Sequence, residues 1–276
     1  MVSSIEISFT VDRDDDGQTR RQQFTVPVTP GMTVLDGLLY IQKELDPTLA
    51  WRFSCRMGIC GSCGMIINGM PGLACNTQIL NISDSTIEVE PLANFPVIRD
   101  LAVSLESMLS KHRALKPYII TEEEGEPGVN SGEHQQSPEE LLTFLQFTDC
   151  IKCGICMSAC PTLALDDNFA GPMPLTAAQR YNADSRDDGF AERKQALEQF
   201  SGLDHCHYAA ECTRACPKGV DPAKAIQRLR RSLVADALHL RRQPATAARL
   251  PAAQQVSDES FPQPPAFTVE GADREQ

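Results

Sequence analysis

Eleven cysteines hold most of the chemistry open to this chain, and their spacing sorts them into groups. The densest run is Cys150-Ile-Lys-Cys153-Gly-Ile-Cys156-Met-Ser-Ala-Cys160-Pro161. Cysteines at i, i+3 and i+6 on a tight loop can turn three thiolates toward one centre, as a cube of four irons and four sulfides requires. The fourth cysteine, just before proline, cannot fold back onto the same cube. In two-cluster proteins with this spacing it ligates the other cluster. The run therefore predicts a second cysteine group elsewhere.

That group is Cys206-His-Tyr-Ala209-Ala-Glu-Cys212-Thr-Arg-Ala-Cys216-Pro217. Laid over the first run, Cys206, Cys212 and Cys216-Pro217 match, and Ala209 stands at the second cysteine position. If the clusters exchange their fourth ligands, Cys150, Cys153, Cys156 and Cys216 form a full [4Fe-4S] set. Cys160, Cys206 and Cys212 then form a set of three, and Ala209 offers no ligand atom. A cube held at three corners can lack its fourth iron, so the expected second cluster is [3Fe-4S]. A cube with a non-protein fourth ligand is the alternative. The remaining cysteines, Cys55-x4-Cys60-x2-Cys63-x11-Cys75, have the plant-type [2Fe-2S] spacing. Gly58, Gly61 and Gly64 are expected to adopt positive φ there and to bring backbone N–H groups near the sulfurs. The metal is thus iron held through these cysteines, all of which are used, and no catalytic acid, base or nucleophile is assigned.

Two plainer readings fit less well. A disulfide framework belongs to short secreted chains, often with even cysteine counts; this chain has 276 residues and an odd count. Structural zinc closes four ligands around one ion, whereas nested C-x2-C steps with two Cys-Pro ends suit iron–sulfur clusters. A formal net charge of -12 argues against nucleic acid, which selects basic surfaces. Thiolate ligation on this scale implies a reducing compartment. The sequence shows neither an 18-residue apolar run nor a signal-peptide pattern at its start, so a cytoplasmic location is expected, with membrane contact only through partners.

The elements that must position these cysteines can be read in order. Ile5, Ile7, Phe9 and Val11 alternate with polar residues as a strand. An acidic turn over Asp12–Gln18 leads to a return strand from Arg20 to Val28. Thr33, with Asp36 three residues on, caps a helix to Leu45. Met65-Ile66-Ile67 is a strand, Asn68-Gly69 a hairpin turn, and Thr86–Glu90 a closing strand. Two strands, a helix and a cysteine loop give the β-grasp ferredoxin order. A helix is expected from about Asp100 to Lys111. Ser137-Pro138-Glu139-Glu140 opens a helix carrying Leu141 to Phe147 up to Cys150. Further helices are expected over Asp187–Phe200 and from Asp221-Pro222 through Leu233. The fold class is therefore α+β. An N-terminal β-grasp plant-type [2Fe-2S] ferredoxin domain spans residues 1–105. A connecting helix end and exposed linker follow over 106–137. An α-helical two-cluster, bacterial-type ferredoxin domain occupies 138–242, and a disordered tail 243–276.

The chain resembles the iron–sulfur subunits of succinate dehydrogenase and fumarate reductase, the succinate:quinone oxidoreductase family. The resemblance is carried by Trp51-Arg-Phe-Ser-Cys55-Arg56-Met-Gly58-Ile-Cys60-Gly61-Ser62-Cys63-Gly64, Leu73-Ala74-Cys75 and Asn94-Phe95-Pro96-Val97-Ile98-Arg99-Asp100-Leu101. Lys116-Pro117-Tyr118, Arg180-Tyr181-Asn182-x-Asp184-Ser185-Arg186-Asp187 and Cys216-Pro217-Lys218-Gly219-Val220-Asp221-Pro222 also match. The likeness covers about residues 5 to 240. The Arg180–Asp187 stretch and the run from Lys116 to Ile120 are nearer the fumarate reductase branch.

The family implies a relay. A flavoprotein partner interconverts succinate and fumarate at FAD, and electrons pass along [2Fe-2S], [4Fe-4S] and [3Fe-4S] to a quinone at a membrane anchor, in some members with haem. The chain would sit at the cytoplasmic face of the cell membrane, held by anchor subunits, and would not itself bind the dicarboxylate. Pro161, His207, Gln227 and Arg230 match family positions near the quinone. Family tryptophans four and five residues past the cysteine are replaced by Ala164 and Leu165, which suggests menaquinone or a differently placed quinone site. The alternative is a subunit of a soluble, thiol-linked fumarate reductase. Such complexes carry extra cysteine-rich modules, and no cysteine follows Leu240.

Overall fold

The computed structural model describes residues 4–15, 17–121 and 136–240. Most of the linker expected between Thr121 and Ser137, and the tail expected over 243–276, lie outside the described residues.

The first half is built on a five-stranded mixed sheet. Strand β1 (Ile5–Asp15) pairs antiparallel with β2 (Gln18–Val28) and parallel with β5 (Thr86–Glu90). Strand β3 (Gly64–Ile67) joins β5 to the edge strand β4 (Met70–Leu73), so the order is β2-β1-β5-β3-β4. Ile7, Phe9 and Val11 point inward with period two, as alternation requires. Helix α1 (Val34–Tyr40) covers that face and continues as a widened π turn to Leu45. The expected Thr33–Asp36 capping box is present. Gly37 gives the Phe9 ring its place against the helix, because any Cβ there would collide with it. Asn68 and Gly69, with φ of 48° and 76°, make the β3–β4 turn. Strands β1 and β2 reach further into the acidic turn than expected, because Asp14 takes hydrogen bonds from Gly17 N and Thr19 Oγ1 and tightens it. A short helix α2 (Ile79–Ile82) precedes β5.

The helix expected from Asp100 begins later. A two-stranded hairpin, β6 (Val97–Arg99) with β7 (Ala102–Val103), comes first, and α3 spans Glu106–Ala114. Asp100 is a turn residue with φ 47°. Its buried carboxylate accepts from Arg13 Nε, Asp14 N and Ala50 N, and so ties the hairpin to the sheet instead of capping a helix.

The second half is helical: α4 (Pro138–Thr148), α5 (Ile155–Ser158), α6 (Pro172–Asn182), α7 (Phe190–Leu197), α8 (Glu211–Arg214) and α9 (Pro222–Ala237). Ser137 and Glu140 form the expected capping box of α4, and the Asp221 carboxylate caps α9 by accepting from Lys224 N. Leu175 and Ala178 of α6 and Ile226 and Leu229 of α9 share one buried core. The helix expected from Asp187 starts only at Phe190, because Asp187 is committed to an ion pair. Its two carboxylate oxygens take Arg193 Nη1 and Nη2 at 2.6 and 2.8 Å, with both side chains fully buried. Arg193 also donates to the backbone carbonyls of Lys116 and Tyr118, so this one guanidinium anchors the 116–120 segment. Arg193→Met is expected to cost about 3–5 kcal/mol by leaving Asp187 buried and unpaired. A denaturant melt of the cluster-loaded protein checks this, and a loss below about 1 kcal/mol would contradict it.

Candidate cluster sites

The first site is a loop that folds its backbone around sulfur. Cys60 N donates to Cys55 Sγ at 3.2 Å, and Ile59 N and Met57 N reach the same sulfur at 3.3 and 3.5 Å. Gly58 N donates to Cys75 Sγ at 3.2 Å, and Cys75 N to Cys63 Sγ at 3.5 Å. All four cysteines thus take part in amide–sulfur hydrogen bonds, which pair Cys55 with Cys60 and Cys63 with Cys75. Gly58 and Gly61 have the expected positive φ, 69° and 75°. Gly64 does not: it opens β3, and its lack of a side chain serves the close approach of the Cys153 carbonyl. The Ser62 hydroxyl, followed by backbone groups of Cys55 and Ser62, pulls the Cys60 thiol down to about 6. Burial pushes Cys63 up to about 12. Without metal the inner cysteine therefore keeps its proton, and iron would take that proton's place.

The second and third sites are cavities. One is lined by Cys150, Cys153, Cys156 and Cys216. The other is lined by Cys160, Cys206 and Cys212, with Ala209 beside them. Cys160 thus stands with Cys206 and Cys212, and Cys216 with Cys150, Cys153 and Cys156, which is the grouping that an exchange of fourth ligands would use. Burial raises the Cys153 and Cys212 thiols to about 11 and Cys156 well above its ordinary value. No three Cys, His, Asp or Glu side chains close on a single-ion position among the described residues. The cysteines are grouped four and three around the two pockets, in the numbers that the cluster spacings call for.

The two loops are a structural repeat displaced by 56 residues (Cys150 to Cys206). Lys152 and Gly154 have φ of 55° and 83°; Tyr208 and Ala210, 56 residues on, have 54° and 59°. Helix α5 recurs as α8, and the bonds Met157 N to Gly154 O and Ala159 N to Ile155 O recur as Thr213 N to Ala210 O and Ala215 N to Glu211 O. Ala209 thus occupies the backbone position of Cys153, between the same two left-handed residues.

The sites are wired closely. A Cβ at Gly61 would stand 2.7 Å from Cys153 Cβ, so the first loop touches the second. Gly61→Ala is expected to cost about 2 kcal/mol or more, combining left-handed strain with this collision, and to slow transfer between the first two sites. Gly58→Ala is the control: it shares the positive φ, but its nearest neighbour is 3.9 Å away. Equal melting temperatures and transfer rates for the two variants would contradict the wedge.

Of the four residues matched to a quinone site, Pro161 and His207 line the three-cysteine cavity. Arg230 Nη1 lies 3.3 Å from the Tyr208 hydroxyl, its guanidinium near that ring, which attaches α9 to the same loop. Gln227 is exposed one turn earlier on α9 and is not among the cavity residues. Leu165 is 82% exposed. Sequence reasoning missed α6 and the reach of the Asn94 side chain, whose Nδ2 donates to the carbonyls of Met157, Ser158 and Cys160. The Gly171-Pro172 start of α6 was a legible helix signal, whereas no local pattern marks a contact like that of Asn94.

Comparison with known proteins agrees with this geometry. Residues 5–110 match a family described as a 2Fe-2S iron-sulfur cluster binding domain, and residues 146–220 one described as a 4Fe-4S dicluster domain. The chain is 49% identical to the fumarate reductase iron-sulfur subunit of Mycobacterium tuberculosis, over 79% of this chain and 87% of that protein. It is 44% identical to that of Escherichia coli, over 74% and 82%. It is 39% identical to the succinate dehydrogenase iron-sulfur subunit of Paracoccus denitrificans, over 74% and 77%. A solved structure of the Mycobacterium smegmatis Sdh1 complex superposes with a TM-score of 0.73 at 28% identity, covering 86% of this chain and 98% of that one.

Proposed function

The chain belongs to the iron–sulfur subunits of fumarate reductase and succinate dehydrogenase, and we propose that it links the FAD of a flavoprotein partner to a quinone at a membrane anchor. It is an electron-transfer subunit of an oxidoreductase complex. Bound clusters supply the one-electron chemistry, and the chain supplies ligands, spacing and surroundings. Cys55, Cys60, Cys63 and Cys75 would hold [2Fe-2S]; Cys150, Cys153, Cys156 and Cys216 would hold [4Fe-4S]; Cys160, Cys206 and Cys212 would hold [3Fe-4S]. The observation that carries this reading is the division of eleven cysteines into sets of four, four and three, with Ala209 beside the set of three.

The two ends of the relay face different partners. Around the first loop Phe53, Met57 and Ile59 are exposed, an apolar rim suited to the flavoprotein. At the other end Pro161 and His207, with Arg230 held through Tyr208 and Gln227 nearby on α9, would receive the quinone head. No helix among the described residues is long and apolar enough to cross a membrane. By likeness to the membrane-associated complexes of this family, attachment would come through anchor subunits, with the chain on the cytoplasmic face.

The test is anaerobic addition of succinate to the chain purified with its partners. Succinate should reduce clusters in the assembled complex and not in the isolated chain, and added quinone should reoxidise them. Clusters in the complex that succinate leaves oxidised, but a dithiol reduces, would contradict the reading.

A further inference from the structure

We infer that Asn94, in the sheet domain, is a positioning residue for the crossover between the four-iron and three-iron sites. This rests on the cluster assignment above and goes beyond it. The Asn94 side-chain Nδ2 lies 2.9 Å from the Met157 carbonyl oxygen, 3.2 Å from that of Ser158 and 3.1 Å from that of Cys160. Only the amide donor can face three carbonyls, so these contacts orient the amide. The acceptors lie at and just past the end of α5: the Met157 carbonyl, which also accepts from Cys160 N, and the carbonyls of Ser158 and Cys160.

Helix α5 is the wall between the two cavities. Cys156 faces one and Cys160, one turn later, faces the other. A shift of this turn would move a ligand of each cluster. The equivalent turn of the repeat is held locally, with Gly219 N donating to Cys216 O and Thr213 Oγ1 to the Asp221 carboxylate. The first turn is instead clamped from the other domain. Asn94 has φ 63°, a conformation Asn tolerates, and the next residue, Phe95, packs its ring against Gly154. Together they insert one corner of the sheet domain into the four-iron loop.

The test uses the assembled complex with Asn94→Asp and Asn94→Gly. Asn94→Asp keeps the shape and the tolerance of positive φ but turns a carboxylate oxygen toward three carbonyls. Asn94→Gly keeps the backbone unstrained and removes the amide without adding charge. Paramagnetic resonance of the two-iron and three-iron signals is read in one sample, with the midpoint potential of each. In both variants the two-iron signal per chain and its midpoint should match the parent, the three-iron midpoint should shift, and quinone-linked reoxidation should slow several-fold. Asn94→Gln, with a donor one methylene further out, should recover part of the loss. A three-iron midpoint and line shape identical to the parent in Asn94→Gly would overturn the inference, as would equal loss of both signals. A parent complex with no three-iron signal would overturn the cluster assignment itself, and the inference with it.

Discussion

Cys216→Ala is expected to remove the four-iron cluster while sparing the two-iron cluster. Cys216 lies in the second loop, yet it lines the cavity of Cys150, Cys153 and Cys156. A local reading of the sequence would place it with Cys206 and Cys212, and its loss would then empty the other site. The crossed arrangement makes the opposite forecast. The four-iron signal disappears, iron falls by about four per chain, and quinone reduction drops by at least about 100-fold because the middle of the relay is gone. The two-iron signal per chain stays near the parent level, since its amide–sulfur hydrogen bonds are confined to residues 55–75. Loss of the three-iron signal alone would contradict the crossing.

Ala209→Cys is expected to convert the three-iron cluster to a four-iron one. The backbone needs no rearrangement, since Tyr208 and Ala210 already hold the left-handed conformations that Lys152 and Gly154 hold around Cys153. Only one sulfur is added, beside the cavity of Cys160, Cys206 and Cys212. The oxidised three-iron signal should vanish, iron should rise by about one per chain, and the site's potential should fall, slowing quinone reduction by about 10-fold or more. An unchanged spectrum and iron count would show that position 209 does not face the cluster.

The grouping of the cysteines was legible because cluster ligation imposes short, strict spacings, and because proline follows Cys160 and Cys216, the cysteines that stand in the other run's cavity. The β-grasp half was legible for the same local reason: period-two strands, the Thr33–Asp36 box and Asn68-Gly69 are each nearest-neighbour signals. The misreadings came from residues committed over long range. Asp100 looked like the start of a helix, but its carboxylate serves Arg13 and Ala50. Asp187 likewise is held by Arg193, which delays α7 to Phe190. The Arg180–Asp187 and Lys116–Tyr118 motifs read only as family marks. The structure gives them a physical role, with Arg180 and Arg186 closing on buried Asp184 and Arg193 gripping the 116–118 carbonyls. Contacts between halves, such as Gly61 against Cys153 and Asn94 on α5, have no periodicity and no cap signature. They exist only once both loops are folded together.

The most direct test of the three-cluster account is paramagnetic resonance of the anaerobically purified complex, oxidised and then reduced stepwise, with iron counted on the same sample. The account predicts a three-iron signal in the oxidised protein, two-iron and four-iron signals on reduction, and about nine irons per chain. An iron-loaded protein with no oxidised three-iron signal and about ten irons would contradict it. The corner at Ala209 would then be filled by a non-protein ligand.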